Sequence, residues 1–139
     1  MLQLNKSKKG SVMNIQESAE MYLETILILS KKSDFIRSID IVNYTGYTKP
    51  SISRAVNLLK KNGYLNIDEK GHIVLTTSGA TIAKSIYERH CVLTDLLINI
   101  GVDEETSKQD ACKIEHVISK KTFKKIKEHL TVLKNMEDK

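Results

Sequence analysis

Backbone breakers are scarce in this chain, and their positions mark its joints: one proline, Pro50, and six glycines in 139 residues. Glycine destabilises a helix through its excess freedom, and proline through its missing N–H and its ring clash. A chain with so few of either is read as mainly helical, with turns where the breakers fall.

Between the breakers, apolar residues recur at helical spacing. Tyr22, Ile26 and Leu29, widened by Leu23 and Leu27, predict a first helix from a cap at Asn14 or Ser18 to about Lys31. A short second helix begins at Ser38-Ile39-Asp40-Ile41-Val42 and stops at Gly46. Pro50 suits the first turn of a third helix, whose stripe is Ile52, Val56 and Leu59 and whose end is a left-handed cap at Asn62-Gly63. Tyr64–Ile67 and His72–Leu75 then alternate like strands around the polar tip Asp68-Glu69-Lys70-Gly71. A helix-turn-helix followed at once by a hairpin is the winged-helix order. Beyond it, Thr77 or Ser78 caps a long helix to about Asn99, with Ala83, Ile86, His90, Leu93 and Leu97 on one stripe. Gly101 breaks that helix, and Asp103-Glu104-Glu105 opens the next with acids suited to its positive end. A last amphipathic helix runs from about Thr122 through Ile126, Leu130 and Leu133. The expected organisation is a flexible basic arm over 1–13 (Lys6, Lys8, Lys9), a winged helix-turn-helix over 14–76 and an all-helical domain over 77–139.

The formal net charge of +5 favours polyanionic partners. No apolar run approaches the roughly 20 residues needed to cross a bilayer, and no apolar stretch follows the early lysines as a secretory signal requires. The expectation is a cytoplasmic protein without a membrane partner, whose two cysteines, Cys91 and Cys112, stay thiols. It has no His-Glu-x-x-His, P-loop or glycine-rich dinucleotide turn, so an enzyme is not expected.

From Ser38 to Asn62 four basic residues, Lys49, Arg54, Lys60 and Lys61, face a single acid, Asp40. The polar positions of the third helix are Lys49, Ser51, Ser53, Arg54 and Asn57, which can reach major-groove edges and flanking phosphates of double-stranded DNA. Arg54 is the candidate for reading a base, since a guanidinium pairs with two acceptors on guanine. Thr48, Pro50 and Ser51 at the helix start, Ser38 at the start of the second helix, Lys60, and Lys70 at the wing tip complete the candidate DNA face. The plainer reading is a solvated basic surface.

Cys112-Lys113-Ile114-Glu115-His116 sets a thiol, a carboxylate and an imidazole at i, i+3 and i+4, one face of a helix. Each is a good transition-metal ligand. Met21 and Glu24 on the first helix are three apart, and His90 interrupts an apolar stripe, which turns it inward. Each also has a structural reading: Met21 as a core filler, His90 bonded to a carbonyl, Cys112 as a small hydrophobe, Glu24 and Glu115 as surface acids. Spacing alone leaves both readings open.

The sequence resembles the diphtheria-toxin-repressor and manganese-transport-regulator family over about residues 15 to 130. The resemblance rests on Glu20-Met21-Tyr22-Leu23-Glu24-Thr25-Ile26, Thr48-Lys49-Pro50-Ser51-Ile52-Ser53, Leu75-Thr76-Thr77-Ser78-Gly79, Arg89-His90, Ile100-Gly101-Val102-Asp103 and Cys112 to Ser119. It implies a winged helix followed by a helical metal-binding and dimerisation domain. It also implies repression of metal-uptake genes by a homodimer on palindromic operators, loaded with Fe(II) or Mn(II). Met21, Cys112, Glu115 and His116 match the activating site of the iron-responsive branch, and Glu24 and His90 match ligands of the manganese branch. Two ancillary-site positions depart from the iron-branch pattern, with Thr94 where an acid is expected and Lys108 where a histidine is. The end at Lys139 fits a short form without the extra C-terminal domain. Thioether and thiolate are softer than the carboxylates of a manganese site, so Fe(II) is favoured over Mn(II), with Zn(II) or Co(II) able to bind in vitro. The competing expectations are a metal-independent winged-helix regulator sensing oxidants through Cys112 or Cys91, and a small metal carrier.

Overall fold

A computed structural model describes residues 15–137; the basic arm and the Asn14 cap lie outside the described residues. Eight elements follow one another: α1 (Ile15–Ser30), α2 (Ser38–Thr45), α3 (Lys49–Lys61), β1 (Leu65–Ile67), β2 (Ile73–Leu75), α4 (Thr77–Asn99), α5 (Glu104–Ile114) and α6 (Lys120–Glu137). The chain divides into two compact units, one up to Lys84 and one from Ser85 onward.

In the first unit, Leu23 and Ile26 of α1, Ile41 of α2, and Ile52, Val56 and Leu59 of α3 form one buried cluster with Leu65, Ile73 and Ala83. Helix ends are set by local chemistry. Asp40 accepts the Arg37 backbone N–H at 2.8 Å at the start of α2, and Gly46, at φ 79°, closes that helix. Thr48 caps α3 by accepting the Ser51 N–H at 3.2 Å. At the far end Gly63 donates to Lys60 and Tyr64 to Leu59, a closed left-handed cap with Gly63 at φ 83°. The two strands pair antiparallel, Leu65 opposite Leu75 and Ile67 opposite Ile73, each one residue shorter than the alternation suggests. Ile36 adds an isolated bridge to Ile73, a contact invisible in the sequence pattern.

The start of α4 corrects the expected cap. Thr76, rather than Thr77 or Ser78, accepts the Gly79 N–H at 3.1 Å, and its hydroxyl donates to the Gly63 carbonyl at 2.8 Å. That clamp draws the first turn of α4 onto the turn after α3. A Cβ on Gly79 would stand 2.0 Å from the Tyr64 carbonyl oxygen, so this site requires glycine for close approach.

In the second unit, Ile86 and Leu93 of α4, Ala111 of α5 and Leu130 of α6 are buried. Gly101, at φ 107°, turns the chain after α4, and the Asp103 carboxylate caps α5 by accepting the Thr106 N–H at 3.0 Å. Ser119 caps α6 on the Thr122 N–H, so α6 begins at Lys120, earlier than its apolar stripe suggests. Ion pairs Glu88–Lys127 and Asp95–Lys134 join α4 to α6 at the surface, where such pairs add little beside the apolar burial.

Gly79→Ala is expected to lower stability by about 1–3 kcal/mol, the cost of overpacking against backbone. Urea unfolding should show a lower midpoint with unchanged slope; an unaltered midpoint would show that the clamp yields freely.

Candidate metal centre and nucleic-acid interface

The amphipathic division of α3 separates core from surface. With Ile52, Val56 and Leu59 turned inward, Lys49, Pro50, Ser53, Arg54, Asn57 and Lys60 are exposed, and Ser51 is half-buried. Thr48 is exposed but engaged, since its hydroxyl caps the helix and donates to Ser51 Oγ at 3.0 Å. Ser38 is half-buried at the first position of α2, and Lys70 is exposed on the hairpin tip. The outer surface of this unit therefore carries cations and hydroxyls.

The second unit gathers the chemistry-bearing residues around one carboxylate. Glu115 is fully buried just past the last residue of α5. Its Oε1 meets His90 Nδ1 of α4 at 2.9 Å, and His116 Nε2 stands 3.3 Å from Oε2. Cys112 Sγ lies 3.8 Å from the same His90 nitrogen and is exposed. Because α5 ends at Ile114, Cys112 lies on the helix, while Glu115 and His116 occupy the turn that follows it. Glu115 keeps helical dihedrals and donates its N–H to the Ala111 carbonyl, so it shares the helical face of Cys112, and His116 follows in the turn. Met21 and Glu24 lie three apart on α1 in the first unit, Met21 half-buried and Glu24 buried.

One positioning residue was not legible in the sequence. Arg89 donates to the carbonyls of Glu115 at 3.1 Å and Ile118 at 2.8 Å, and its guanidinium lies 5.3 Å from the Phe123 ring centre. A helix leaves its last carbonyls without partners, and a cation there satisfies them and the negative end of the dipole. Arg89 therefore holds the turn that carries Glu115 and His116.

Models of two protein domains match nearly the whole described chain. The iron dependent repressor N-terminal DNA binding domain matches residues 14–73, and the iron dependent repressor metal binding and dimerisation domain matches residues 76–138. The HTH-type transcriptional regulator MntR of Lysinibacillus sphaericus is 31% identical over 121 residues, 87% of each chain. The chain belongs to the iron-dependent repressor family. The iron-dependent repressor IdeR of Mycobacterium leprae is 29% identical over 107 residues, covering 76% of this chain and 46% of that protein. Among solved structures, the manganese regulator SloR is similar in fold, with a TM-score of 0.73 at 24% identity over 81% of this chain. This repressor-family chain spans 53% of that structure. Of the ancillary positions, Thr94 is buried with Oγ1 making no hydrogen bond among the described residues, and Lys108 is exposed and paired with Glu104 at 3.0 Å. No helix of the described residues is long and apolar enough to cross a membrane.

The centre of this family member fits a divalent transition metal by its own chemistry. Glu115 Oε2 is buried yet accepts no hydrogen bond among the described residues, and one such oxygen is costly to leave unmet. His90, Cys112 and Glu115 offer nitrogen, sulfur and oxygen donors, all within 4.8 Å of one another. The hydrogen bond with Cys112, then that with Glu115, raises His90 to about 10, against the opposing effect of burial. A histidine so raised stabilises the fold fully below its ordinary 6.5, and that contribution is lost as pH rises through about 10. In the metal-free protein the His90 ring is expected to carry both protons at pH 8, as histidine nitrogen NMR would read directly. A neutral ring at that pH would show that Cys112 and Glu115 do not together hold the His90 proton.

Proposed function

We propose that this chain is a metal-dependent transcriptional repressor of metal-uptake genes, binding palindromic operators in double-stranded DNA as a homodimer when loaded with Fe(II), or next with Mn(II). The observation that carries this reading is the buried Glu115 carboxylate beside His90, Cys112 and His116, in a chain matched over residues 14–73 by a DNA binding domain and over residues 76–138 by a metal binding and dimerisation domain. We assign His90, Cys112, Glu115 and His116 as ligands, with Met21 and Glu24 completing the set. The thiol of Cys112 and the thioether of Met21 are the soft donors behind the preference for Fe(II) over Mn(II), and Zn(II) or Co(II) suit the same set in vitro.

A bound divalent ion would supply the positive charge that a buried carboxylate such as Glu115 calls for. To serve as a ligand, His90 would have to release its proton, so acid would oppose loading. Arg89 keeps Glu115 and His116 oriented by its hold on the turn's carbonyls. In the DNA-binding unit, Arg54 reads a base edge, Lys49, Lys60 and Lys70 meet phosphates, and Ser38, Pro50, Ser51, Ser53 and Asn57 fill the helix–groove contact. Thr48 holds the helix start in place. The working boundary between the two functions falls at residues 76 and 77, and the setting is the cytoplasm.

Anisotropy of labelled metal-transporter promoter duplexes, titrated anaerobically at fixed salt with chelator or with each metal, tests the switch. Tight binding is expected only with metal, in the order Fe(II) before Mn(II); equal binding in chelator would remove the metal from the function. Glu115→Ala or His116→Ala should cut the metal-dependent gain by about 100-fold while the circular dichroism spectrum stays helical. An undiminished metal response would overturn the ligand assignment. Arg54→Ala should cost about 1–3 kcal/mol of binding and relax the preference at one base pair, read by competition with single-substitution duplexes. A uniform loss on every sequence would make Arg54 a phosphate contact instead.

A second reading has one observation in its favour: Cys112 is exposed beside an imidazole. Loss of DNA binding on peroxide treatment, absent in Cys112→Ser, would establish thiol sensing.

A further inference from the structure

The wing is fastened to the segment before α2 by a charge-ordered chain that the metal centre does not use. The Ile73 N–H donates to the Ile36 carbonyl at 2.7 Å, and the Phe35 ring lies against the His72 imidazole with centroids 4.6 Å apart. Arg37 Nη2 is 3.2 Å from His72 Nε2, and His72 Nδ1 is 3.1 Å from Asp68 Oδ2. A guanidinium has no acceptor and stays charged. His72 Nε2 must therefore be the lone-pair nitrogen and Nδ1 the protonated one, which makes the ring neutral. Asp68 supplies the anion at the other end. The His72 backbone N–H, foremost, and that of Lys70 reach Oδ1 at 2.9 and 2.8 Å, and these bonds hold its carboxyl below the usual range. The same bonds shape the hairpin tip that carries Lys70. The charged groups facing His72 are thus Asp68 from its own hairpin and Arg37 from the α2 cap, with Asp40 one step beyond on the Arg37 N–H.

We propose that neutral His72 is a positioning residue for DNA binding, holding the Arg37 guanidinium and the Lys70 wing tip as one fixed cationic edge against a duplex phosphate backbone. The inference rests on the DNA-binding reading of this unit. Arg37 keeps further donors for a phosphate while one faces His72. Protonation places a hydrogen on Nε2, so the Arg37 bond is lost and two cations face one another. Added positive charge alone would tighten DNA binding in acid. Loss of positioning weakens it, so the sign separates the two effects.

The test uses the full chain, saturated with Mn(II) at every pH, and a labelled duplex enriched from a random library with the metal-loaded protein. Wild type, His72→Ala and Arg37→Gln are compared between pH 8 and pH 5.5, with full metal occupancy of each protein verified at each pH. His72→Ala is expected to bind about tenfold more weakly at pH 8, the worth of a charge-assisted hydrogen bond, and the gap should close toward pH 5.5. Arg37→Gln should lower the salt slope by about one and abolish the further effect of His72→Ala. A gap that stays constant or widens in acid overturns the proposal. Histidine nitrogen NMR on the unaltered protein gives a check independent of any variant's folding: the Nδ1–H form is expected at pH 8, and the Nε2–H form overturns it. Failure to bind any duplex with metal present would instead overturn the DNA-binding reading on which the proposal stands.

Discussion

A carboxylate taken out of water demands donors or a cation, and the second unit is arranged around that demand at Glu115. The residue is fully buried at the end of α5, where a helix has no intrahelical partners for its last carbonyls. Arg89 takes the carbonyls of Glu115 and Ile118, His90 takes Oε1, and His116 stands by Oε2 without closing a hydrogen bond. One cation is thus committed to the backbone and one imidazole to half of the carboxylate. The remaining oxygen, with Cys112 beside His90, is the chemical basis for placing a divalent metal here.

The first unit solves a different problem, which is to present polar side chains from a helix whose other face is packed. Ile52, Val56 and Leu59 anchor α3, so Arg54 and Asn57 turn outward without cost to the core. The helix start is held by Thr48 and its end by the Gly63 cap, and the Thr76 hydroxyl ties that cap to the start of α4. Gly79 permits the approach because nothing larger fits beneath the Tyr64 carbonyl. A chain of local bonds therefore runs from the outward-facing helix through the Gly63 cap to the first turn of α4.

Most of this fold was legible because periodicity and breakers agreed. The α3 stripe is buried as its spacing implied, and Gly46, Gly63, Gly71 and Gly101 all adopt positive φ at chain turns. What escaped was nonlocal. Thr76, Thr77 and Ser78 are chemically equivalent caps, and only the bond to Gly63 selects Thr76. Ile36 bridges Ile73 by a single residue, too little to leave an alternating pattern. No glycine or proline follows Ile114, so the end of α5 gave no sign, although Cys112, Glu115 and His90 meet all the same. The role of Arg89 depends on partners 26 and 29 residues away, and a basic residue next to His90 was the only trace of it.

Thermal unfolding with and without Mn(II), on the parent chain and on Glu115→Gln, tests the central claim most directly. The amide keeps the shape of the side chain but removes the charge that calls for a cation. The account predicts that the parent melts higher as Mn(II) rises past its dissociation constant, by the linkage of binding to folding. It predicts that Glu115→Gln folds without metal at least as stably as the metal-free parent and gains almost nothing from Mn(II). An equal metal-induced rise in both proteins would contradict it and move the ion away from Glu115.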